Sequence, residues 1–285
     1  MNMKTVYLNK FMSSVVTELE MNGQYGTAHV CGSVLRSVMA FGGEGLPVSG
    51  ITPLWLKAYE GYLLHKGGKG LAWNTVSTYM RMLQAVYNRA VARKLAAFIP
   101  HQFRDVFTGR KADHRRVLER DDMQKLLVER EPDITSPGMA WARACLELMF
   151  RFHGMPFVDL AHLRKSDLKD GYLTLRRRKT GMPLSARVDG RAMQLLERYR
   201  NRDDTSPYLL CFLDGNLEGM AAYRDYQRIL RLLNSRLRAL ALWKKVQGKV
   251  TSYSARHTWA TVGRYCHIPI EVISEGLGHA SVTTT

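Results

Sequence analysis

The chain has 285 residues, with 42 Lys and Arg against 25 Asp and Glu, a formal charge of +17 and a pI near 9.9. That length accommodates two domains, and that charge points to a polyanion rather than a small neutral substrate. The apolar stretches are broken by Arg or Lys, as in "LELMFRFHGM", and none approaches the roughly 20 residues that span a bilayer, which favours nucleic acid over a membrane.

"MNMKTVYLNKF" carries no apolar signal core, and Cys31, Cys145, Cys211 and Cys266 have neither C-x-x-C nor metal-ligand spacing. The expectation is a cytoplasmic protein with four free thiols, no metal and no cofactor.

Taken in chain order, residues 1–100 read as a helical module. "YLNKFMSSVVTELEMNG" and "GTAHVCGSVLRSVMAFGGEG" carry apolar residues at helical spacing. A third helix opens with Thr52 as cap and Pro53 at its first position. In the fourth, Asn74 is the expected cap, and Val76, Tyr79, Met80, Leu83, Val86, Tyr87, Ala90 and Val91 form one apolar stripe. Arg81, Arg89, Arg93 and Lys94 lie off that stripe; singly each reads as a solvated charge, together as phosphate contacts.

Over 101–117 the periodicity lapses while Arg110, Lys111, Arg115 and Arg116 accumulate. This reads as a basic connector that would cross a nucleic-acid backbone, or as an ordinary solvated linker.

Residues 118–285 read as a second unit, α+β. Helices are expected over "VLERDDMQKLLVER" and "PGMAWARACLELMFRFHG". A β-hairpin follows, with Leu173 and Leu175 alternating with Tyr172 and Thr174 on one arm, Leu184, Ala186 and Val188 alternating on the other, and Thr180 and Gly181 at the turn. "GRAMQLLERYRN", a long segment through "YRDYQRILRLLNSRLRALALWKKV", and "SARHTWATVGRYC" return to helix. "EVISEGLGH" is a short amphipathic helix that turns over at Gly276 and Gly278. The fold class is therefore mainly α, a helical module followed by a mixed unit with a small antiparallel sheet.

Four places gather groups suited to an anion. The hairpin tip "LRRRKTG" presents Arg177, Arg178 and Lys179; a solvated turn is the plain alternative. A helix starting near Ser254 puts Arg256 in its first turn, with His257 beside it, where a guanidinium and free backbone N–H groups can face one anion. His279 follows a helix end, which is also an ordinary place for histidine. In "FRFHGMPFVDLAHLRKSDL", His153 and Gly154 end a helix, and Asp159 is a cap or an ion-pair partner.

The order of these features resembles the tyrosine recombinase (phage integrase) family: a hairpin lysine, then "YSARHTW" against the family's H-x-x-R, then "LGH". The wording "GMPFVDLAHLRKSDL" is most similar to Bacteroides-type mobile-element integrases. The resemblance spans the chain and implies a core-binding, SAM-like module ahead of a catalytic domain, and site-specific DNA recombination through a 3′-phosphotyrosyl intermediate.

It also implies roles. Arg256 would clamp the non-bridging oxygens, Lys179 would protonate the leaving 5′ oxygen, and His279 would donate a hydrogen bond to the phosphate. Asp159 and His257 would support them, without a metal.

This sequence departs from the family in three respects. Tyr253 stands at the histidine of H-x-x-R, a hydrogen-bonding substitute. The first family arginine falls on His153 or, in an ungapped match to the wider family, on Pro156; Arg151 is a third candidate on a different helix face. The family's nucleophilic tyrosine falls beyond Thr285, so the 285 residues are expected to bind DNA, as a monomer, without forming the covalent link. The resemblance further implies a homotetramer on double-stranded DNA for a chain that carries the tyrosine. The alternative is a catalytically degenerate DNA-binding protein of the same fold.

Overall fold

Apolar residues three and four apart build four helices in the first unit, Met1–Ala112, of a computed structural model that describes residues 5–111, 118–127, 136–279 and 281–284. They are α1 (Leu8–Met21), α2 (Tyr25–Gly42), α3 (Pro53–His65) and α4 (Trp73–Ala92). Leu8, Met12, Val34, Leu56, Leu63, Met80 and Leu83 are fully buried between them, where a leucine truncated to alanine costs about 2–5 kcal/mol. The buried face of α4 follows the expected stripe, with Tyr79 and Val91 only half covered.

Thr52 caps α3, its Oγ1 accepting from the Trp55 N–H at 3.1 Å, and Pro53 holds the first helical position. The expectation for Asn74 is corrected. α4 begins at Trp73, with Ala72 in the cap position two residues before Asn74, and the Asn74 side chain instead brackets Lys111, accepting from its N–H and donating to its carbonyl, both at 2.8 Å.

That bracket is one of several pins on the segment after α4. Tyr87 Oη donates to the Ala97 carbonyl at 2.6 Å and accepts from the Ile99 N–H at 2.9 Å. Gln102 donates to the Ile51 carbonyl. Glu60, buried, accepts from the Phe107 N–H at 2.7 Å and pairs with Lys57, which also reaches the Asp105 carbonyl at 3.0 Å. Ser77 donates to the Gly109 carbonyl at 2.6 Å. An irregular backbone has to place its polar groups somewhere, and here the helices supply the partners. The connector expected over 101–117 therefore belongs to the first unit as far as Lys111; Arg115 and Arg116 lie outside the described residues.

The second unit, Asp113–Thr285, is arranged around α6 (Pro137–Arg151), with Ala142, Cys145, Leu146, Leu148 and Met149 all buried. Packed on it are α5 (Arg120–Leu127), α7 (Phe157–Ala161), α8 (Gly190–Arg198), the long α9 (Gly219–Trp243) and α10 (Ser254–Tyr265). A helix covered on nearly all sides must be apolar nearly all round, and the two charges it buries, Arg143 and Glu147, answer each other at 3.3 Å.

The sheet runs β1 (Leu168–Lys169), β2 (Tyr172–Arg176), β3 (Pro183–Arg187), antiparallel throughout. Leu173 faces Ala186 and Leu175 faces Leu184, as the alternation requires. β1 was not foreseen, since two residues carry no periodicity. The turn closes through Arg177 N–H to the Met182 carbonyl and Gly181 N–H to the Arg177 carbonyl, at 2.9 and 2.8 Å.

α11 (Ile270–Leu277) packs on α10 and ends at Gly278 in the left-handed conformation, φ 63° and ψ 41°. Gly276, expected in the turn, stays helical; the Trp259 ring lies 2.7 Å from where its Cβ would be. Among the described residues no helix is long and apolar enough to cross a membrane.

Candidate active site

Three elements converge at one end of the second unit: the first turn of α10, the end of β2 and the residues after α11. Arg256, half-buried in α10, donates through Nη1 to the Gly154 carbonyl at 3.1 Å and through Nη2 to the Leu277 carbonyl at 2.8 Å. Its Nη2 also lies 2.7 Å from His279 Nε2. A guanidinium only donates, so this imidazole nitrogen accepts and the ring proton sits on Nδ1. Burial, then the Arg256 and Arg177 charges, lower the His279 pKa and favour that neutral form.

Arg177 is the other guanidinium. It is 5 % exposed, and its Nε reaches Asp159 Oδ2 at 2.9 Å. Asp159, in α7, uses Oδ1 to accept from the Arg178 N–H at 2.9 Å. One carboxylate thus fixes both the arginine and the backbone of the turn that carries Lys179. Arg177 Nη1 is buried and has no hydrogen-bond partner among the described residues.

The two guanidiniums act on each other. Burial first, then the Arg177 charge, brings the Arg256 pKa down to about 10, still cationic at neutral pH, and burial lowers that of Arg177. Two cations in one low-dielectric place disfavour each other until an anion arrives.

Two glycines make the convergence possible. Gly154 has φ +66°, and a Cβ there would lie 2.9 Å from the Arg256 Cα; Gly278 has φ +63°, and a Cβ there would lie 3.1 Å from Arg177 Nη1. Both positions need a conformation L-residues rarely adopt and a space that a side chain would fill.

The remaining candidates divide. Lys179 is exposed on the turn, and no hydrogen bond or ion pair to another described residue holds it. Tyr253 is 45 % exposed and packs its ring on His257 at 5.6 Å.

His153 stands apart. Its ring packs against Trp259 at 5.5 Å, and burial alone lowers its pKa, with no contribution from either guanidinium. The cluster takes the carbonyl of Gly154, the next residue, rather than the imidazole. Arg151 is committed elsewhere, to Glu147 at 3.0 Å and Asp189 at 2.6 Å.

Arg177 was expected as a surface DNA contact; it is instead interior to the site, beside Asp159. The signal was available in the sequence. On β2 and its extension, residues 173, 175 and 177 share one face, and that face is the buried one.

In the first unit, Arg81, Lys94 and Arg110 are exposed. Arg93 pairs with both carboxylate oxygens of Glu18 at 2.8 Å, and Arg89 lies 3.7 Å from the same carboxylate. The Lys111 ammonium sits over the Trp73 ring at 4.3 Å. Arg178 is exposed at the hairpin.

Comparison with known proteins adds an independent line. Residues 7–104 match the family model described as the phage integrase SAM-like domain, and residues 116–285 the model described as the phage integrase family. Tyrosine recombinase XerA of Pyrococcus furiosus is 30% identical over 135 residues, 46% of this chain and 44% of that protein, so the match spans less than half of this relative.

A solved lambda integrase dimer bound to a COC′ core site is similar with TM-score 0.67 at 16% identity, over 98% of this chain and 97% of that one. The Tn1549 transposon integrase in complex with transposon right end DNA gives 0.68 at 16%, over 98% and 93%. Identities this low establish the shared fold.

Proposed function

The chain belongs to the phage integrase family, and on that footing we propose that its activity is site-specific DNA strand cleavage and rejoining through a 3′-phosphotyrosyl intermediate. The observation that carries the proposal is the meeting of two sequence motifs: Arg256 Nη2 and His279 Nε2, 23 positions apart, lie 2.7 Å from each other. A phosphodiester oxygen that displaces the imidazole from Arg256 gains the guanidinium, and the imidazole is left beside it as a second hydrogen-bonding group.

In the cleavage step a tyrosine oxygen attacks phosphorus, its proton passing to solvent, and the bond from phosphorus to the 5′ oxygen breaks. Lys179 supplies a proton to that oxygen. Arg256 stabilises the charge that develops on the non-bridging oxygens, and the Tyr253 hydroxyl donates where the family has histidine. One phosphoester is made for each one lost, so the reverse step needs no external energy. Neither Tyr253 nor Tyr265 is assigned as that nucleophile, because both precede His279 in the sequence.

Exposed cations of the first unit, Arg81, Lys94 and Arg110, would neutralise duplex phosphates. A solved lambda integrase tetramer is bound to a Holliday junction; a homotetramer on DNA is the assembly we propose here.

The test uses the joining half-reaction, which needs no protein nucleophile. A nicked duplex, recovered by binding from a random pool, carries a 3′-(p-nitrophenyl phosphate) facing a 5′ hydroxyl. Attack of the hydroxyl expels p-nitrophenolate and seals the strand. The 285-residue chain is expected to accelerate sealing over buffer. Tight binding without any sealing would replace this reading by that of a degenerate DNA-binding protein.

A further inference from the structure

Any activity as proposed above meets an electrostatic difficulty. A phosphoryl group in transfer spreads charge over its non-bridging oxygens, and a single guanidinium beside a neutral imidazole stabilises it incompletely. The three positions that sequence offers for another guanidinium fail: His153 is turned to Trp259, residue 156 is proline, and Arg151 is held by Glu147 and Asp189.

The structure holds a second guanidinium where none was expected. Arg177 reaches the site from the hairpin: Nε faces Asp159 at 2.9 Å, while Nη1 is buried with no hydrogen-bond partner among the described residues. A buried donor on a charged group with nothing to bond is costly, and such groups in a native fold ask for an explanation. Gly278 offers one, because a Cβ there would come within 3.1 Å of Nη1. The chain carrying His279 covers this nitrogen in the free protein, in the same stretch that occupies Arg256.

Resting on the proposed activity, we infer that Arg177 is a catalytic residue, the second guanidinium of the phosphate clamp, whose Nη1 binds a non-bridging oxygen when the Gly278–His279 turn yields to the phosphate. Asp159 is its positioning residue. It holds Nε so that the fork is oriented before the anion arrives, and through the Arg178 N–H it ties the turn bearing Lys179 to the same carboxylate. A single acidic side chain thereby sets the clamp and the proton donor in register.

The inference separates cleanly from a structural role for Arg177. If its guanidinium meets phosphate charge, removing that charge from the substrate removes the need for it. The joining assay is run with the 285-residue chain and with Arg177→Ala, Arg177→Lys and Arg151→Ala, on the phosphate substrate and on its methylphosphonate counterpart. In the latter a neutral methyl group replaces one non-bridging oxygen.

Arg177→Ala is expected to lose about 100-fold or more on the phosphate and no more than about tenfold on the methylphosphonate, with duplex binding within about threefold of the parent. Arg177→Lys, which keeps the charge but not the fork, is expected to fall between the parent and Arg177→Ala. Arg151→Ala should match the parent on both substrates.

Equal losses for Arg177→Ala on both substrates would assign it to scaffolding and overturn the inference. So would an unchanged rate, or a charge-dependent loss shown by Arg151→Ala instead. Sealing of the methylphosphonate by Arg177→Ala reports in the same tube that the variant is folded. Failure of the parent chain to seal either substrate would instead remove the proposed activity, and the inference with it.

Discussion

The two units share a basic character and place their cations in opposite environments. In the first, the charges lie on the surface: Arg81 and Lys94 are exposed, and Arg89 and Arg93 share the partly exposed Glu18. In the second, the decisive arginines are interior and braced: Arg177 against Asp159, Arg256 against two carbonyls and an imidazole, Arg143 against Glu147. Surface cations on flexible stems attract a polyanion without fixing geometry, and salt weakens them. Buried cations are costly to place, but once placed they are already oriented when charge develops. On the proposed activity, that division would give affinity to the first unit and chemistry to the second.

The assignment is most exposed at Arg256. Arg256→Ala is expected to lower strand sealing by about 10³-fold while leaving duplex affinity within a few-fold; parallel losses in both assays would erase the contrast between the units.

Breaking the brace comes next. Asp159→Asn leaves the Arg177 charge in the interior without its counter-ion, so denaturant unfolding of the second unit should show a loss of about 3 kcal/mol, together with slower sealing. A neutral effect on stability would place Arg177 in solvent.

Acidification sharpens the same contrast through His162. Burial, then the Arg178 charge, lowers its pKa from 6.5 to about 4, with its ring between Tyr208 and Tyr226. The unfolded chain then takes up this proton first, as pH falls below about 6.5. Stability is lost progressively down to about pH 4, by at most roughly 3 kcal/mol. His162→Gln should flatten that part of the profile in thermal melts, and an unaltered slope would assign the loss to other groups.

The smallest effects belong to the surface. Arg81→Ala should reduce the slope of log affinity against log salt by about 1 and leave sealing of bound duplex unchanged. Glu18→Ala, which frees Arg89 and Arg93, should tighten binding by no more than a few-fold.

Much of this was legible before the fold was known. The helical stripes and the inward faces of the hairpin arms followed from periodicities of 3.6 and 2, the Thr52 cap from its place before Pro53, and the family motifs located Arg256 and His279. Other features were less accessible because they depend on distant residues. Nothing local distinguishes Asn74 as a cap from Asn74 as a clasp on Lys111, 37 positions away. The pinning of residues 101–111 rests on Glu60, Ser77 and Tyr87, whose partners are backbone groups and leave no pattern in sequence.

Arg177 is the instructive case. In "RRRK" three arginines look equivalent, and the strand's alternation alone, continued past Leu173 and Leu175, says which of them turns inward. Asp159 could be read as a cap or an ion-pair partner, and the choice awaited the position of Arg177.

The central claim is that Arg256, Arg177 and His279 form one receptor for a phosphate. Its most direct test is a crystal structure of the chain on a nicked duplex ending in a 3′-phosphate at the selected site. The account predicts non-bridging oxygens within about 3 Å of Arg177 Nη1 and Arg256 Nη2, with His279 moved off Arg256 and onto the phosphate. A phosphate bound at the hairpin surface alone, with the Arg256–His279 contact and the buried Arg177 unchanged, would contradict it.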